Sequence, residues 1–160
     1  MFERYTEGAR RTIFFGRYEA SRLGSPEIET EHLLLGLLRE DKALIRLVLL
    51  GVDYESAYQE ISAGVTRGEM FPTSVDLPLS DDAKRVLKYA CDEADRLNSK
   101  NIGTEHLLLG LLREPEFGSA KFLSKATGLE LLRNRLERLP VRGPLREVSY
   151  NRRSPAPRTR

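Results

Sequence analysis

The sequence has no tryptophan, a single cysteine and two histidines in 160 residues. A lone thiol, Cys91, can form no internal disulfide, which fits a reducing compartment. Its neighbours Leu87, Ala90 and Ala94 mark it as a buried small residue rather than a reactive one. No run nears the roughly 18–20 apolar residues that a membrane span needs. The opening MFERYTEGARR lacks the apolar stretch of a secretory signal, so a cytoplasmic location is expected and a membrane partner is not. Also missing are a G-x-x-x-x-G-K-[ST] loop, a G-x-S-x-G elbow and any Ser-His-Asp spacing. Those absences argue against an enzyme, and nothing in the chain asks for a cofactor.

What is present is ordinary globular material, 40% hydrophobic and 31% charged, with a net charge of +2. The charge is unevenly spread. Residues 140–160 hold six arginines, one glutamate and four of the eight prolines, so this tail is basic while the rest of the chain is slightly acidic. With little to bury, the tail reads as disordered. Basic tails can hold nucleic acid or an acidic protein. Without interleaved aromatics this one reads first as a solvated end, and nucleic acid is not the expected partner.

The stretch TEHLLLGLLRE occurs at 30–40 and again, unchanged, at 104–114, and it contains both histidines. Shifting the chain by 74 residues also lays Ala9, Ile13, Ala20 and Leu23 on Ala83, Leu87, Ala94 and Leu97, and Ile28 on Ile102. The matched apolar positions step by three or four, one face of a helix. Two copies predict an all-α, pseudo-twofold domain of about eight helices over residues 1–139: repeat one at 1–64, a linker at 65–79 and repeat two at 80–139. Thr6 and Ser80 are expected to cap the opening helices, which end near Leu23 and Leu97 at Gly24 and Asn98. Thr30 and Thr104 are expected to cap the second helices. Third helices are expected near 42–50 and 117–126, and fourth helices near 54–63 and 129–139 with Pro140 as the stop. Only ten residues separate Glu40 from Gly51, against thirteen between Glu114 and Gly128, so the first-half third helix and its approach are expected to be short. In LLLGLLRE the leucines ring the helix, which places it mid-fold. Gly36 and Gly110, each costing about 1 kcal/mol against alanine, imply close backbone approach.

The polar head, Thr-Glu-His, needs more than packing. A metal site built from Glu31, His32, Glu105 and His106 fails on geometry, because adjacent helical residues point about 100° apart and the Glu-x-x-His spacing of metal helices is missing. Each histidine is expected at a core edge, hydrogen-bonded to nearby backbone. An anion site is the better reading. Thr6 and Ser80 place hydroxyls at helix N-termini, where free N–H groups favour a phosphate. If Glu31 and Glu105 lie beside those ends, each half offers donors for an anion and a carboxylate for a cation, which would suit a phosphorylated guanidinium.

The doubled I-x-T-E-H-L-L-L-G-L-L-R-E, its spacing, and the R-G-x-M loop at Arg67, Gly68, Glu69 and Met70 resemble the Clp N-terminal (Clp repeat) domain, most closely that of ClpC-type Hsp100 unfoldases. The resemblance covers roughly residues 2–139. It implies a non-enzymatic interaction module in Clp-dependent proteolysis, with Clp ATPase or Clp protease subunits, adaptors and substrate proteins as partners. It also implies phosphoarginine pockets, carrying the guanidinium role onto Glu31 and Glu105 and the phosphate side onto Thr6 and Ser80. Arg67–Met70 corresponds to an adaptor-contacting surface. Glu29 departs from the family's usual glycine, which Gly103 keeps, and adds negative charge beside a phosphate pocket. On that ground Ser80 with Glu105 is expected to be the better site.

Overall fold

The computed structural model describes residues 2–138. The tail at 140–160 and the Pro140 stop lie outside them. Among the described residues all regular structure is helical: α1 Glu7–Leu23, α2 Thr30–Glu40, α3 Lys42–Val48, α4 Tyr54–Ala63, α5 Asp81–Arg96, α6 Thr104–Leu112, α7 Gly118–Leu123 and α8 Leu129–Arg138. The all-α, eight-helix, duplicated architecture is the one the repeat predicts.

Local chemistry sets the boundaries. Thr6 and Ser80 each accept a hydrogen bond from the backbone N–H three residues on, at 3.1 Å to Ala9 and 3.1 Å to Ala83. α1 ends at Gly24, at φ 68°, and Asn98 takes φ 54° just past α5, both left-handed as the sequence implies. Thr30 and Thr104 are not caps but first helical residues, with Glu29 and Gly103 in the cap position. The cap's backbone N–H is taken by a histidine instead. Glu29 N–H donates to His32 Nδ1 at 2.8 Å, and Gly103 N–H to His106 Nδ1 at 2.9 Å. An imidazole three residues in replaces the usual Glu or Gln of a capping box. The third helices are similar in length; what is short in the first half is the approach alone. Asp41 closes α2 and, accepting from Leu44 N–H at 3.0 Å, opens α3, whereas Arg113–Phe117 intervene between α6 and α7.

α1 with α2, and α5 with α6, are antiparallel hairpins. A Cβ on Gly36 would run into the Thr12 carbonyl, and one on Gly110 would sit 2.6 Å from the Val86 carbonyl. The glycines therefore let each second helix lie against the backbone of its opening helix. α2 and α6 are buried over nearly their whole length, with Leu33–Leu35 and Leu107–Leu109 at 0–2% exposure. Cys91 is half-buried rather than buried, and Arg4 donates to its Sγ at 3.3 Å.

Candidate functional site

The hairpins decide where the two carboxylates go. Because α2 runs antiparallel to α1, its start lies by the end of α1, and its end, Glu40, lies by Gly8 and Arg11. Some ten residues of helix, about 15 Å, thus separate Thr6 from Glu31, and Ser80 from Glu105 likewise. The pairing of hydroxyl and carboxylate within each half is corrected by this geometry. Two short parallel bridges, Tyr5 with Ile102 and Ile28 with Leu79, join the halves crosswise. Thr6 N–H donates to the Ile102 carbonyl at 2.9 Å, and Ile102 N–H to Arg4 O at 2.8 Å. Ser80 N–H donates to Ile28 O at 3.0 Å, and Ile28 N–H to Pro78 O at 2.8 Å. Each opening helix therefore starts beside the other half's duplicated segment. Thr6 is grouped with Glu105, and Ser80 with Glu31.

The two notches differ. At the Thr6 notch, Glu105 folds back over Gly103, where a Cβ would come within 2.6 Å of its carboxylate oxygens. Its Oε1 lies 3.5 Å from His106 Nδ1. Burial pushes the His106 pKa down, with Glu105 and Glu93 opposing. The first turn of α1 carries Glu7 as well as Arg10, whose guanidinium is held by the Phe2 carbonyl at 3.0 Å.

The Ser80 notch carries more acidic groups. Asp81 and Asp82 stand in the first turn of α5, with Glu27, Glu29 and Glu31 across from them. The Glu29 carboxyl is pushed above its ordinary pKa, first by burial and then by Glu31, with hydrogen bonds from Thr66 opposing. Its Oε2 is buried without a hydrogen-bond partner. Glu31 turns toward the start of α7, over Gly118, where Thr30 Oγ1 donates to its Oε1 at 2.7 Å and accepts from Ser119 N–H at 3.3 Å. The hydroxyl and carboxylate segments that meet are thus Thr6 with Glu105 and Ser80 with Glu31, and the expectation that paired Ser80 with Glu105 is corrected.

His32 illustrates what the spacing hid. With Nδ1 accepting, its Nε2–H faces Ser25 Oγ at 3.0 Å, and Ser25 in turn donates to the Thr66 carbonyl. Burial lowers its pKa to about 4. Arg67, Gly68, Glu69 and Met70 are all exposed on a strap laid along the end of α1. Gly68 N–H bonds Leu23 O at 3.1 Å, Phe71 N–H bonds Ser21 O at 3.0 Å, and Met70 stands 70% exposed. Among the described residues no three His, Cys, Asp or Glu side chains gather in a way that could hold a metal. No described helix is long and apolar enough to cross a membrane.

The described residues form a duplicated eight-helix body whose halves are joined crosswise at the duplicated motifs. The profile of the Clp repeat (R) N-terminal domain matches residues 4–126, and the chain belongs to that family. It is 40% identical over 151 residues to an ATP-dependent Clp protease ATP-binding subunit ClpA homolog of Guillardia theta, spanning 93% of this chain and 18% of that protein. It is 39% identical over 153 residues to the chloroplastic chaperone protein ClpC1 of Arabidopsis thaliana, spanning 94% of this chain and 16% of that one. The crystal structure of the N-terminal domain of the chaperone ClpD from Arabidopsis thaliana superposes with a TM-score of 0.67 at 29% identity, over 86% of this chain and 97% of that one. The chain thus spans less than a fifth of these curated relatives' length, corresponding to the non-catalytic interaction module of Hsp100 unfoldases.

Proposed function

We propose that this chain recruits proteins for Clp-dependent proteolysis, capturing substrates, adaptors or Clp subunits without chemistry of its own. Within that role, the notch between Thr6 and Glu105 accepts a phosphorylated arginine. The phosphate would meet the free N–H groups at the start of α1, and the guanidinium would meet the Glu105 carboxylate. The observation that carries this reading is the Thr6–Ile102 hydrogen bond, which brings a helix N-terminus and a carboxylate segment to one place. The exposed Arg67–Met70 strap is the surface offered to adaptors.

Calorimetry of the full chain with free phosphoarginine tests the notch. Heat with the native chain that is lost in Glu105→Ala supports it. No heat, or heat that Glu105→Ala leaves unchanged, overturns it.

A further inference from the structure

Apart from the notches, a cleft of about 590 Å³ opens between α1, α2 and α4, lined by Phe15, Glu19, Arg39, Tyr54, Glu55 and Tyr58. The other half shows what such a place can hold. Glu19 corresponds to Glu93 by the 74-residue shift. α4 and α8 align with one residue more, which sets Ala57 on Leu132, Glu55 on Glu130 and Tyr58 on Arg133.

In the second half the Arg133 guanidinium fills the space. It pairs with Glu93, its Nε reaching Oε2 at 3.2 Å, and with Glu130 at 2.7 Å, while Arg113 adds a bond to Glu93 at 3.0 Å. In the first half both carboxylates are kept and the guanidinium is gone. Glu19 is 4% exposed and, among the described residues, receives a hydrogen bond from the Tyr58 hydroxyl alone, at 2.6 Å on Oε2. Arg39, the counterpart of Arg113, lies over the Phe15 ring at 4.3 Å instead of reaching the carboxylate. A buried carboxylate with a single neutral hydrogen-bond donor is electrostatically incomplete, and Glu19 lines the open cleft.

We infer that the first-half cleft is a docking site for an arginine side chain of a partner protein, seated between Glu19 and Glu55 as Arg133 is seated between Glu93 and Glu130. The rings of Tyr54 and Tyr58 line the cleft beside the carboxylates and give the guanidinium aromatic surface to pack on. Arg22, Arg39 and Lys42 also line the cleft, so the arginine that fits best stands beside an acidic residue in an extended segment. This inference is independent of the phosphoarginine notch, which lies at the start of α1.

The test is an amide NMR titration of the full chain with N-acetyl-Arg-Glu-amide. The peptide should shift Glu19, Tyr54 and Tyr58. Replacing its arginine by citrulline, which keeps the shape and removes the charge, should weaken binding by about tenfold or more. Tyr58→Arg should abolish the shifts and raise the Tm, because it supplies in cis the guanidinium the second half already has. Glu105→Ala should leave the titration unchanged even if it removes phosphoarginine binding. Equal binding of the citrulline peptide, shifts confined elsewhere, or unchanged binding in Tyr58→Arg would overturn the proposal. So would the same residues shifting on deletion of 140–160 with no peptide added, which would assign the cleft to the chain's own arginines.

Discussion

The Thr6 amide donates to the Ile102 carbonyl at 2.9 Å, across 96 residues of chain and between the two halves of the repeat. Together with its counterpart between Ser80 and Ile28, this bond makes each notch a joint product of both halves. A fragment holding only residues 1–64 should therefore bind no phosphoarginine, even though it contains Thr6 and Glu31. In the full chain, Glu105→Ala should remove the calorimetric signal while Glu31→Ala leaves most of it. The reverse ranking would show that the acidic rim at Ser80 does not exclude an anion.

The glycines of the repeat should resist alanine. Helix propensity alone would favour Gly36→Ala by about 1 kcal/mol. The new methyl group meets the Thr12 carbonyl and the Gly16 amide, backbone atoms that cannot swing aside. Net destabilisation of roughly 1–3 kcal/mol is expected, and likewise for Gly110→Ala against Val86 O, read by denaturant unfolding.

The domain should lose stability on mild acidification. His32 is buried neutral with its pKa lowered to about 4, from an ordinary value near 6.5 in the unfolded chain. The unfolded state binds the proton first, so this contribution is complete above about pH 6.5. It is lost as the pH falls toward 4, and amounts to on the order of 3 kcal/mol. His106 shifts in the same direction. Glu29, raised by burial and by Glu31, works oppositely and only in the carboxylate range. His32→Gln keeps an acceptor for the Glu29 amide while removing the titration. Its Tm should fall less than the native chain's between pH 7 and 5.

Removing one partner from the Glu93 cluster should cost more than removing the cluster. Glu93 is 1% exposed and held by Arg113 and Arg133. Arg133→Met leaves the buried carboxylate with Arg113 alone and should destabilise by about 2–4 kcal/mol. Combining it with Glu93→Leu should recover much of that loss. Chemical denaturation of the two variants checks the order.

Much of the fold is legible in the sequence. The 74-residue repeat implied the eight helices, because apolar positions recurring every three or four residues must share a helix face. Thr6, Ser80, Gly24 and Asn98 set the ends of the opening helices through hydroxyl caps and left-handed turns, which depend on near neighbours only. Gly36 and Gly110 announced a close approach. Less visible was the true cap of the second helices, since an imidazole standing in for Glu or Gln has no pattern of its own. Nor was the partner of Cys91 visible, since Arg4, which donates to its Sγ, stands 87 positions away.

Identical letters in two segments specify that both helices cap and bury themselves alike, for those are short-range matters of propensity, pattern and local hydrogen bonds. Which half's hydroxyl meets which half's carboxylate is not encoded at that range. It was decided when the hairpins turned antiparallel and the segments entering them paired crosswise, because packing places atoms by distance in space. The same cause separates Glu19 from Glu93. Alike in sequence setting, one is closed by Arg133 and the other is left open beside Tyr58, a difference set by a single position on the helix packed against each.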